Sequence, residues 1–122
     1  MKATSGHFVF KKNTSYKDLA KIFPELLKTF LEETDQLPED EDVLQMFIHL
    51  NQVELERDRK PEGYNRKGKM RLVFPINRKE FYIRGTSKGG EVVRVAERLS
   101  RMLTKAGIAH DLEWDALSFI EE

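Results

Sequence analysis

The spacing of apolar residues changes period repeatedly along this chain, and that alternation limits the architectures open to it. Spacing by two marks a strand with one buried face, and spacing by three or four marks a helix with one buried stripe. His7-Phe8-Val9-Phe10-Lys11 is short, aromatic and β-branched, and reads as a first strand. Thr14 or Ser15 then offers an N-cap, with Asp18 in the first turn where a negative charge favours the helix dipole. From Tyr16 onward Leu19, Ile22, Phe23, Leu26, Leu27, Phe30 and Leu31 recur at helical spacing. Pro24 interrupts that pattern and is expected to kink the helix or split it in two.

The middle of the chain is harder to read. Glu32 to Asp42 carries seven carboxylates and no base, and reads as a solvated loop or as the acidic opening of a helix starting at Pro38. Val43, Phe47 and Leu50 then fit a helix, whereas Met46, Ile48 and Leu50 fit a strand. The strand from about Met46 is preferred, because Val53, Leu55 and Arg57 continue a period of two after a slip that reads as a bulge. A long turn follows at Lys60–Gly68, and Met70, Leu72, Phe74 and Ile76 alternate beyond it. Val53–Arg57 and Lys69–Ile76 are therefore expected to form a hairpin, with Pro75 at an edge or bulge.

The rest is clearer. Glu80–Arg84 reads as a strand with Phe81 and Ile83 on one face, and Gly85–Gly90 as a loop. Val92, Val95, Ala96, Leu99, Met102, Leu103 and Ala106 make a second main helix, stopped by Gly107. Ile108–Asp115 alternates His110, Leu112 and Trp114 against Asp111, Glu113 and Asp115, a last strand. The expected fold is one α+β domain over residues 1–122, an antiparallel sheet of about four to five strands with two main helices packed on one face. This is a split βαβ or ferredoxin-like variant, whose other sheet face is open to a partner.

Composition removes several function classes. No cysteine is present, so disulfides and thiolate chemistry are excluded and no oxidising compartment is required. Neither a signal-peptide pattern at Met1–His7 nor a run of about 18 apolar residues occurs, so a cytoplasmic protein without membrane contact is expected. The net charge is zero, which argues against indiscriminate binding to polyanions. The zero hides blocks, however. Residues 1–31 hold six bases and two acids, residues 32–56 nine acids and no base, residues 57–105 fifteen bases and five acids, and residues 106–122 five acids.

Three features of the basic block point to an anionic ligand. Around the expected hairpin tip, Arg57, Arg59, Lys60, Arg66, Lys67, Lys69 and Arg71 surround Tyr64, which is expected to be exposed; cations that release counterions beside a stacking aromatic suit a nucleic-acid strand. The Arg84-Gly85-Thr86-Ser87-Lys88-Gly89-Gly90 segment leads into a helix and could cradle phosphate on its N–H groups, although no Walker A spacing is present. Arg94, Arg98, Arg101 and Lys105 form one stripe along the second main helix.

Catalytic groupings are weaker. His7, His49 and His110 lack ligand spacing, and no metal or other cofactor is expected. Glu54 with Glu56, and Asp111 with Glu113 and Asp115, would share strand faces and could hold magnesium. The leading expectation is a non-catalytic module for RNA, single strands or a phosphate ligand, without sequence-specific duplex reading. One alternative is an assembly module pairing segment 32–42 with a basic surface of a partner or second copy; another is a small metal-dependent phosphodiesterase or nuclease.

Overall fold

The computed structural model describes residues 1–116, apart from the Ser87 side chain. Its first strand, β1 (Ala3–Phe10), begins four residues before the expected one. At its end Ser15 caps α1 (Tyr16–Ala20) in a complete capping box: the Ser15 hydroxyl accepts from Asp18 N at 3.2 Å, and Asp18 Oδ2 accepts from Ser15 N at 2.9 Å. Those two bonds, the backbone one first, hold the Asp18 carboxyl below the usual aspartate value. The expected break follows. α2 (Phe23–Glu33) starts afresh with Pro24 in its first turn, where a missing N–H leaves no helical bond unmade.

α3 (Glu41–Glu56) overturns the middle of the sequence reading. Neither the strand from Met46 nor the strand Val53–Arg57 exists, and hence no hairpin joins that segment to Lys69–Ile76. Asp40 caps this helix by accepting from Asp42 N at 2.9 Å, so the acidic block supplies the opening turn two residues beyond Pro38. Leu44, Asn51 and Leu55 are its buried residues, a narrow stripe turned toward α1 and α2. Asn51 clamps the following loop: its Oδ1 accepts from Gly63 N at 2.7 Å, and its Nδ2 donates to Phe47 O and Gly63 O. Gly63 sits at φ +78°, and a Cβ there would run into the Leu72 carbonyl oxygen, so this turn requires glycine.

β2 (Met70–Val73) is shorter than expected and pairs with β3 (Glu80–Gly89), which runs five residues past Arg84. Gly85–Gly89 is therefore strand, not loop: Ala3 of β1 pairs with Gly89 across an irregularity in register. α4 (Gly90–Lys105) follows at once, and Gly107 at φ +79° terminates it as expected. β4 (His110–Trp114) completes a four-stranded sheet ordered β2-β3-β1-β4, with each neighbouring pair antiparallel. A single bridge between Tyr64 and Leu72 adds the rudiment of a fifth strand beyond β2. Four helices, not two, belong to this α+β fold among the described residues, because the third lies on α1 and α2.

The helices meet one side of the sheet. A Cβ on Gly6 would come within 2.9 Å of Ala96 Cβ on α4 and 3.1 Å of the Trp114 ring, so glycine lets that helix approach closely. Phe8 and Phe10 share this face; Phe8 stacks on Phe81 at 4.4 Å, and Phe10 meets the Tyr16 edge of α1. Phe23, Phe74 and Leu72 extend the core toward β2. Among the described residues no helix is long and apolar enough to cross a membrane.

Candidate nucleic-acid interface

Strand alternation fixes what the other sheet face presents. With Phe8, Phe81, Leu72 and Leu112 turned to the helices, Ser5, His7 and Val9 of β1 point the opposite way. Beside them stand Glu80, Tyr82 and Arg84 of β3, Arg71 and Val73 of β2, and Asp111 and Glu113 of β4. The face is thus basic at its β2–β3 half and acidic at its β4 edge.

Its centre is a buried polar chain. Ser5 Oγ lies 2.8 Å from His7 Nε2, and His7 Nδ1 lies 2.9 Å from Glu80 Oε1. A carboxylate only accepts, so Nδ1 donates to Glu80; in the neutral ring Nε2 then accepts the Ser5 hydroxyl proton. Arg78 Nε stands 2.9 Å from Glu80 Oε2 as an ion pair without hydrogen-bond alignment, and Arg78 Nη2 lies more loosely 3.9 Å from Glu113 Oε1. The order serine, histidine, carboxylate is that of a nucleophile, its base and an orienting acid. Here Ser5 is 1% exposed and His7 and Glu80 are fully buried, so the Ser5 hydroxyl is closed off from solvent. Asp115 fastens the same region, its Oδ1 accepting from Thr4 N at 2.7 Å and Ser5 N at 3.2 Å.

A groove of about 450 Å³ opens on the β2–β3 half. Val73 and Tyr82 face each other across the two strands, and Arg71 and Arg84 do the same one step further along. Asn65, Gly68, Gly85 and Thr86 add to the lining, which contains no acid among the described residues. Asn65 Oδ1 accepts from Arg71 Nη1 at 3.3 Å and orients that guanidinium. Tyr82 lies with its ring 4.9 Å from the His7 ring, which gives the groove a fixed aromatic wall.

Of the expected site residues, the fold brings Arg71, Arg84 and Thr86 together here. Others go elsewhere. Arg57 ends α3, Arg59 pairs with Glu54 at 3.1 Å, and Lys60 is exposed in the loop after them, so no basic hairpin tip exists. Tyr64 is half-buried between Phe30 and Phe47, not the exposed stacking residue expected, and Arg66 covers the Phe47 ring at 5.2 Å. Lys67 and Lys69 are exposed beside the groove's Gly68. Ser87, Lys88 and Gly89 lie on β3, with Gly90 opening α4, so the expected phosphate-cradling loop is replaced by paired strand. Arg94 and Arg98 both reach Glu33 of α2, at 3.3 and 3.4 Å, while Arg101 lines a separate groove.

The metal alternatives fare no better. Glu54 and Glu56 sit two residues apart on a helix, about 200° around it, so they do not share a face. Glu113 lies on the sheet face turned away from the helices, so Glu54 does not approach it. His49 is on α3, His110 bonds Ser100 on the helix side of the sheet, and His7 is buried on the other. Among the described residues no cluster of histidines and carboxylates could hold a metal ion. Tyr82 was missed by motif reading, although its position between Phe81 and Ile83 marks it as an aromatic on the outward face of a strand.

No protein-family model, no curated protein and no solved structure matches this chain.

Proposed function

We propose that this chain is a non-catalytic, split βαβ module that binds single-stranded nucleic acid, RNA in the first instance, along the β2–β3 half of its sheet face. The strand order β2-β3-β1-β4, with antiparallel neighbours throughout, supports the split βαβ reading and its ferredoxin-like connectivity. One observation carries the ligand assignment: two arginines directly opposed across β2 and β3, beside an aromatic ring, in a groove whose lining among the described residues holds no acid. In this reading the guanidiniums take successive phosphates, and Tyr82 stacks on a base, the division of labour by which sheet-face aromatics hold single strands. Asn65 and Thr86 add hydrogen bonds at the rim.

Fluorescence anisotropy with a short labelled oligoribonucleotide tests the proposal. Tyr82→Ala should weaken binding by about 1–3 kcal/mol, the range for losing one base–aromatic stack, and Tyr82→Phe should bind nearly as wild type. Wild-type protein that ignores the oligonucleotide, or a Tyr82→Ala/Arg71→Ala variant that binds it undiminished, would dispose of this function.

A further inference from the structure

We propose that the groove between α2 and α4 receives the acidic segment 35–42 of a second copy of this chain. The groove lies on the helix side of the molecule, has a volume of about 420 Å³ and is independent of the sheet face. Its apolar lining comes from Ile22, Met102 and Ala106, and its charged lining is Arg98, Arg101 and Lys105 against one acid, Glu25. Glu33 neutralises Arg98 from α2, whereas Arg101 and Lys105 have no ion-pair partner among the described residues. An apolar lining beside unpaired cations suits an acidic peptide with one apolar side chain better than it suits a sugar–phosphate backbone.

The chain carries such a peptide. Asp35, Glu39, Glu41 and Asp42 are exposed around Leu37, itself 40% exposed, and no base occurs anywhere in residues 32–56. The segment is already ordered: Gln36 donates to Met70 O at 3.0 Å and to Thr34 Oγ1 at 2.8 Å, so docking would cost little further ordering. The same bonds tie it to the β2 edge of the sheet, beyond the C-terminal end of α2. The groove is lined by Ile22 at the N-cap of α2 and by Glu25 and Thr29 within it, whereas the segment leaves the C-terminal end of α2 toward β2, so the natural donor is another molecule. Two copies related by a two-fold axis would fill both grooves and close the assembly.

Charge reversal provides the test, by sedimentation equilibrium at low and high salt. Wild-type protein should self-associate at low salt and dissociate at high salt. Arg101→Glu/Lys105→Glu should weaken self-association by about tenfold or more, and Glu39→Lys/Glu41→Lys should do the same; an equimolar mixture of the two variants should restore it. Leu37→Ser should weaken association without altering its salt dependence. All five positions are exposed, and thermal melts would verify that each variant folds. A wild-type protein that stays monomeric from micromolar to millimolar concentration overturns the proposal, as do folded variants that associate like wild type and a mixture that fails to restore association. Loss of polynucleotide binding in Arg101→Glu/Lys105→Glu, with self-association unchanged, would assign the groove to nucleic acid instead.

Discussion

The salt dependence of oligonucleotide binding separates a local groove from a broad basic surface, because each neutralised phosphate has a known signature. For single strands the logarithm of the binding constant falls by about 0.7 per phosphate contact for each tenfold rise in salt. Arg71 and Arg84 are the two cations lining the sheet-face groove, which sets an expected slope of about −1.4. Between about 50 and 200 mM salt, affinity should then drop about sevenfold. Arg71→Ala should halve the slope to about −0.7, and the same fourfold rise in salt should then weaken binding only about 2.6-fold. If instead the seven cations between Arg57 and Arg71 acted together, the slope would approach about −5. Anisotropy titrations at four or five salt concentrations resolve these cases. A slope steeper than about −4, or one unchanged by Arg71→Ala but reduced by Arg57→Ala, would refute the assignment to the groove.

Three further perturbations probe the scaffold that holds this face. Glu80→Ala leaves the buried Nδ1 of His7 without an acceptor and removes the Arg78 ion pair, so urea unfolding should show a loss of about 3 kcal/mol. Glu80→Gln keeps an acceptor and should cost less; equal losses for the two would show that the His7 bond does not matter. Gly6→Ala drives a methyl against Ala96 and Trp114 and should cost about 1–3 kcal/mol, less when combined with Ala96→Gly, and strict additivity in that double-mutant cycle would exclude a steric cause. Asp18 has a lowered folded-state pKa, so its stabilisation is present above the ordinary aspartate value and disappears as pH falls through the folded value. Asp18→Asn should accordingly be less stable than wild type at neutral pH, with the gap closing in acid; a gap that persists or widens in acid would contradict the capping assignment.

How far the fold could be read depended on how each element is buried. α4 was legible because it presents one continuous apolar face to the sheet, β4 because His110, Leu112 and Trp114 alternate toward the helix side, and the α1–α2 break because Ser15, Asp18 and Pro24 each carry a local signal. α3 was not, for a physical reason. It rests on other helices, leaves Met46 and Leu50 about half exposed, and puts Asn51 where an apolar residue would have revealed the helical period. Gly85–Gly89 has the composition of a loop but is held as strand by partners distant in sequence, Met70 of β2 opposite Gly85 and Ala3 of β1 opposite Gly89, the latter across more than eighty residues. Half of the groove suffered in the same way. Arg71 and Arg84 were recognisable as cations, but only the β2–β3 register sets them opposite each other, and Tyr82 gains its role from the strand face it occupies.

The zero net charge acquires a spatial meaning from that register. The basic block divides between the β2–β3 groove and α4, while the final acidic block supplies Asp111 and Glu113 to the far edge of the same sheet face. Lys11 and Arg78 pair with those two acids and temper them without reversing their sign. β4 stands two strands from β3, about 10 Å at the usual strand spacing, which is close to the Debye length of about 8 Å in physiological salt. At the groove itself the β4 acids are therefore largely screened, and Arg71 and Arg84 set the local potential. A strand crossing the sheet toward β1 and β4 would pass directly over Asp111 and Glu113 and be repelled at contact distance. In the proposed binding mode a polyanion would therefore run along the direction of β2 and β3, with only a few nucleotides engaged. Under that proposal the same acids that cancel the net charge would limit the length and direction of the bound strand, a selectivity that a uniformly basic sheet would lack.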